Sequence, residues 1–397
     1  MRDTAKRVGS AVLFPTDHPI SAEEMIGRED DVDAVAMALL GGGNVVLAGP
    51  RRTGKTTVAD AAIGICAREG AYVAAVDLFE TSDAAALAYR LSLGVLANRP
   101  PLKRAIGEAR RAGRSVLGAL RTAATYRARE DLGADVEITL ELALAEQDPI
   151  QALAAALALP QRLAAADNRH VVVFFDEFQD VASGRFGDPD ALTRQLRSVL
   201  QRSPRVSVLF AGSIEHLMRD LFAPSDRALS QFGGFHELAA IAPAQWTDGL
   251  RRRLALDHAT IADDALAHLI ELGEGHPRAT MLLAQQAHLA SIEELRHTID
   301  NAMVVQALDR ALAAERLRHE QQLERIRAAG RNGERMAVRV AAGAALYAGM
   351  RPQQAARTLA ALRDRGIIEN GARSRQWFVV DPLLRRYLAT RRIEALT

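Results

Sequence analysis

The eight residues Gly49-Pro50-Arg51-Arg52-Thr53-Gly54-Lys55-Thr56 match the pattern G-x-x-x-x-G-K-[ST], and their flanks give the match its meaning. Before them, Asn44 to Ala48 is a short apolar run; after them, Thr56 to Glu69 has the spacing of a helix that stops at Gly70. This is strand, loop, helix. Two glycines let backbone N–H groups curl around phosphates while the helix that follows points its N-terminal dipole at them. Lys55 then reaches the β and γ phosphates, the Thr56 hydroxyl ligates Mg²⁺, and the loop from Gly49 through Thr57 lines the nucleotide. Lysine is scarce here: of 50 Lys and Arg only three are Lys (Lys6, Lys55, Lys103). A chance match to the pattern is expected roughly once in a thousand such sequences.

Such a loop requires a second strand, buried and ending in an acidic residue that holds magnesium. Val171-Val-Val-Phe-Phe-Asp176-Glu177 supplies it. Asp176 is the metal-side carboxylate, and Glu177 is placed to orient and deprotonate the attacking water, unless it caps a helix or pairs with an arginine. Ser213, after the apolar run Arg205 to Ala211, either contacts the γ-phosphate or the water, or simply forms a turn. Gly275-His276-Pro277-Arg278 opens a helix, and Arg278 either reaches the phosphates or lies on the surface. None of the three lysines lies in an Asn/Thr-Lys-x-Asp loop, so ATP is favoured over GTP.

The strands Asn44–Ala48, Ala71–Asp77, Val171–Phe175 and Arg205–Ala211 alternate with helical segments, which implies an α/β fold with a parallel sheet covered by helices. After Ile241 the strand signals cease, and helical patterns run over 245–256, 262–272, 278–289 and 303–329. Gly330 to Gly333 reads as a linker. Beyond it come a helix from Glu334, a helix Pro352–Arg365 stopped by Gly366, a short hairpin and a last helix from Asp381. The expected division is an N-terminal extension (1–20), a nucleotide-binding core (21–241, with a helical insertion at about 98–135), a helical lid (242–330) and a C-terminal module (331–397).

At 397 residues with 49% hydrophobic and 25% charged residues, the chain is that of a globular protein of more than one domain. A single cysteine, Cys66, rules out an intrachain disulfide or a cysteine metal cluster and fits a reducing cytoplasm. The longest Ala/Leu tract, Ile150 to Leu159, is far short of the roughly 20 apolar residues of a membrane span. It reads as a buried helix. The ten histidines lack a metal spacing such as H-E-x-x-H. Residues 103–129 form a basic helical stretch interrupted by Glu108, read as a solvated face. The net charge of +1 conceals a basic end: residues 331–397 carry 13 Arg against 5 acidic residues.

Together, Ile26-Gly27-Arg28-Glu29, the loop, the Asp176-Glu177 strand, Phe210-Ala-Gly-Ser213, Gly275-His-Pro-Arg278 and Asp381-Pro-Leu-Leu-Arg385 resemble the archaeal-type P-loop ATPases of the AAA+/STAND assemblage, related in layout to origin-recognition ATPases. The resemblance runs from about residue 20 to 390. It implies ATP hydrolysis with Mg²⁺ as a conformational switch, adenine-side contacts from Ile26, Gly27, Arg28 and Pro277, a sensor role for Ser213, and a C-terminal winged-helix-like module. Where the family often carries an arginine finger, this chain reads Ala228-Leu-Ser-Gln231-Phe232, with Arg227 just before it. Only Ala344 to Gly349 remains for the usual second helix of the module. Its arginines 357, 363 and 365 suggest DNA, while an internal or protein-facing role is the alternative.

Overall fold

A computed structural model describes residues 9–16, 20–99, 149–370 and 376–390. The basic stretch 103–129 and the expected insertion at 98–135 lie, apart from residues 98 and 99, outside these. In chain order the elements are α1 (Ser10–Leu13), α2 (Glu29–Leu40), β1 (Val45–Ala48), α3 (Lys55–Arg68), β2 (Tyr72–Asp77), α4 (Ala84–Leu96), α5 (Pro149–Asp167), β3 (Val171–Asp176), α6 (Pro189–Leu200), β4 (Val206–Gly212), α7 (Glu215–Phe222) and β5 (Gly234–Glu237). Then follow α8 (Pro243–Ala255), β6 (Thr260–Ile261), α9 (Asp263–Gly273), α10 (Pro277–Glu293), β7 (Thr298–Ile299), α11 (Asn301–Ala314), α12 (Arg316–Arg327), α13 (Gly333–Ala341), α14 (Pro352–Asp364), β8 (Ile368–Asn370), β9 (Trp377–Val379) and α15 (Pro382–Thr390).

The chain divides into two compact units. One holds residues 31–48 and 58–237; the other holds 1–30, 49–57 and 238–397. The glycine loop thus groups with the C-terminal half of the chain.

In the first unit, β1 to β5 form a parallel sheet in the order β2-β3-β4-β1-β5. Every residue of β1 and β4 is buried, which is why these strands read as unbroken apolar runs. β5 has no such run: Gly234-Phe-His-Glu237 is an edge strand, paired on one side only and largely exposed. Sequence pattern alone does not find it. Phe210 on β4 packs among Phe175, Phe178 and Phe222, with ring centroids 6.0, 4.6 and 5.0 Å away. Helix α5 runs on through Pro160, burying Leu153, Ala156, Leu157 and Leu163, so the Ala/Leu tract is a core helix.

The second unit is mainly helical. Two departures from the sequence pattern occur there. Thr260–Ile261 and Thr298–Ile299 pair as a short parallel ribbon, too brief to leave a period-2 signal. The helix expected over 303–329 breaks at Glu315, whose carboxylate is engaged by two arginines described below. At the C-terminal end, α13, α14, the antiparallel β8–β9 pair and α15 form a compact module around Met336, Leu359, Leu362, Ile368, Val379 and Leu388. Leu323 and Ile326 of α12 join that core. Residues 344–349 are loop and turn rather than helix, so the module is abbreviated as expected. No helix among the described residues is long and apolar enough to cross a membrane.

Truncating the fully buried Phe210 to Ala leaves a cavity under β4 and is expected to cost about 3–5 kcal/mol in urea unfolding.

Candidate functional site

Ligands of open parallel sheets bind beyond the carboxyl ends of the strands. In the first unit that edge is acidic. Asp176 ends β3 level with Asp77 of β2, and Gly212 ends β4 level with Ala48 of β1. The backbone N–H of Glu177 donates to Asp176 Oδ1 at 2.9 Å, and both carboxylates are half-buried. Glu177 itself stands in the left-handed region at φ +49°, a strained conformation for a non-glycine residue. Its Oε2 accepts from Ser213 Oγ at 2.6 Å and from Gln179 Nε2 at 2.5 Å. Ser213 is therefore placed on Glu177, and Gln179 is a member of the site that motif reading passes over. Burial pushes the Asp77 carboxyl up; Glu80 and Glu177 add to it against the Phe79 N–H. Arg227 Nη1 lies 3.2 Å from Asp190 on α6.

In the second unit the glycine loop is held by its carbonyls. Lys55, buried, donates to the carbonyls of Gly49 (2.8 Å) and Pro50 (2.6 Å), and Thr53 Oγ1 also donates to Pro50 O at 2.9 Å. Arg28, only 5% exposed, bridges Thr53 O (3.2 Å) and Ala239 O (2.8 Å). His276 caps α10 by accepting the Ala279 N–H on Nδ1, which leaves Nε2 to donate to Arg51 O at 3.3 Å. Burial is the main cause that drives the His276 pKa down, so the ring stays neutral and this tautomer persists. Gly54 adopts φ +91° with open space where a Cβ would stand, so its requirement is conformational. Thr56 and Thr57 are half-buried on the first turn of α3.

The loop's side chains meet the C-terminal module. Arg52 Nη1 lies 3.9 Å from Asp381 Oδ2, and burial, then the charges of Arg318 and Arg278, pull its pKa down to about 10. Burial would push Asp381 up, but the Leu384 N–H and the Arg52 guanidinium help hold it below the usual carboxylate range. The same carboxylate caps α15 through the N–H groups of Leu383 (2.9 Å) and Leu384 (3.2 Å). From α15, Arg385 pairs with Glu274, beside the His276 turn.

Arg278 is half-buried. It forms a two-pronged pair with Glu315 at 2.8 and 2.9 Å, and Arg318 adds a further bond to the same carboxylate. Of the base-side candidates, Ile26 is packed in the core of the helical unit with Ile241 and Trp246. Gly27 turns the chain at φ +65° against Ile241 and Gln245. Pro277 is the half-buried first residue of α10.

Residues 24–211 match the family model of the AAA ATPase domain. This segment is an AAA ATPase domain. The AAA domain binds and hydrolyses ATP. Among solved structures, the chain is similar to a Walker-type ATPase of Pyrococcus abyssi at 15% identity and a TM-score of 0.65, over 95% of this chain and 99% of that one. It is also similar to the ORC2 protein of Aeropyrum pernix in its ADPNP-ADP complexes, at 18% identity and a TM-score of 0.53, over 96% of each chain. At these identities the likeness is one of fold. No curated relative matches the sequence.

The Glu315 carboxylate yields a pH-dependent prediction. Burial alone would raise its pKa, but Arg278 and Arg318 outweigh burial and hold it below the ordinary value of 4.5. A depressed carboxylate stabilises the fold above its unfolded pKa, and that contribution is lost as pH falls through the folded value. Glu315→Gln, which removes the counter-charge of two half-buried arginines, is expected to destabilise by about 3 kcal/mol at pH 7. Thermal unfolding checks this, with the gap from wild type closing as pH falls below 4.5 and through the folded value.

Proposed function

We propose that this ATPase is a nucleotide-driven switch in which occupancy of the glycine loop is passed to the C-terminal module. The observation that carries this reading is that Arg51 and Arg52, inside the loop, are held by His276 and by Asp381, the cap of α15. ATP draws Lys55 from the Gly49 and Pro50 carbonyls to the phosphate oxygens, and the loop cannot reshape around phosphates without disturbing those two holds. In this reading the core (21–241), the helical lid (242–330) and the module (331–397) are the moving parts.

The donor set fits magnesium. Mg²⁺ keeps much of its shell as water and phosphate oxygen and asks the protein for only one or two oxygens, here the Thr56 hydroxyl and the Asp176 carboxylate. When bound it neutralises charge developing between the β and γ phosphates. Glu177 takes the proton of the attacking water, and Ser213 fixes one of its carboxylate oxygens. Arg278 reaches phosphate only after releasing Glu315. Ile26, Gly27, Arg28 and Pro277 would line the base side.

The module is read as facing its own chain or a protein rather than duplex DNA. Arg365 donates to the carbonyls of Ala361 and Ala328, and Arg363 lies 3.6 Å from Asp364, so two of its three candidate DNA arginines are engaged internally. A duplex-binding surface would show affinity falling steeply with salt.

Phosphate release tests the reading. Lys55→Ala is expected to abolish ATP binding, and Glu177→Gln to retain binding while lowering kcat by about 10²-fold or more. Normal turnover by Glu177→Gln would refute Glu177 as the base. Asp381→Asn is expected to alter nucleotide affinity several-fold although Asp381 is no part of the loop; unchanged affinity would refute the coupling.

A further inference from the structure

Gln179 is a buried polar side chain with no role in any motif. It lies on the 3-10 turn Phe178–Ser183 immediately after Glu177 and is 4% exposed. A buried amide is costly unless both of its ends are bonded. Here the Nε2 end donates to Glu177 Oε2 at 2.5 Å, and the Oε1 end accepts the backbone N–H of Ser213 at 3.2 Å. The Ser213 N–H can only donate, which fixes the amide's orientation. Ser213 Oγ closes the triangle by donating to the same Glu177 oxygen. Space for the amide comes from the end of β4: a Cβ on Gly212 would stand 2.6 Å from Gln179 Oε1. Glu177, meanwhile, sits in a left-handed backbone conformation that does not by itself hold its side chain in one place.

We infer that Gln179 is a positioning residue for hydrolysis: with Ser213 it pins Glu177 Oε2 and leaves Oε1 to receive the proton of the attacking water. This rests on the reading of Glu177 as the base. A carboxylate held by two donors keeps one geometry through the reaction, and loosening such a supporting contact typically costs about 10- to 100-fold. Gln179 touches neither nucleotide nor metal in this account, so its effect belongs in kcat.

The test uses the full chain, steady-state phosphate release and binding of a non-hydrolysable ATP analogue. Gln179→Met keeps the volume and removes both bonds, while Gln179→Glu keeps the shape and removes the donor. Each is expected to lower kcat about tenfold or more, with KM and analogue affinity within about twofold of wild type. The Glu177→Gln/Gln179→Met double variant is expected to be no slower than Glu177→Gln alone, because a residue acting through Glu177 has nothing left to position. Wild-type kcat in both single variants, with Glu177→Gln inactive, would overturn the role of Gln179 and leave Glu177 as the base. A further loss in the double variant would show a structural role instead. Normal turnover by Glu177→Gln would remove both.

Discussion

A phosphate-binding loop must keep its N–H groups for the ligand, so its carbonyls have to be satisfied from elsewhere. That constraint organises the second unit. The carbonyls of Gly49, Pro50, Arg51 and Thr53 accept from Lys55, Thr53, His276 and Arg28. All four donors are buried, and two of them, Arg28 and His276, come from segments outside the loop. The loop is shaped by what lies behind it as much as by its glycines.

The same arrangement concentrates positive charge. Arg52, Arg278 and Arg318 act on one another, and Glu315 and Asp381 are the carboxylates that offset them. A bidentate pair such as Arg278–Glu315 is strong only while both partners stay in register. In the proposed switch an entering triphosphate would compete for the same cations. Asp381 serves two masters in this scheme, as cap of α15 and as counter-charge to Arg52.

Much of this was legible from sequence where local rules suffice. The glycine loop, the buried β3 ending at Asp176-Glu177, the parallel sheet and the short second segment of the C-terminal module all follow from spacing and hydrophobic runs. β5 was not legible because a half-paired edge strand needs no apolar run. The Arg278–Glu315 pair and the His276 bond to Arg51 were not legible because they join residues distant in the chain, and no local pattern encodes them. Gln179 had one available signal, a polar residue buried between Phe178 and Val181, but burial at a single position cannot be read from one sequence.

Amide hydrogen exchange with and without a non-hydrolysable ATP analogue tests the central claim most directly. Nucleotide is expected to change exchange at the start of α10 and of α15 as well as in the loop, and Arg52→Ala is expected to remove the change at α15 while sparing the loop. Changes confined to the loop and the sheet's carboxyl edge would contradict the account.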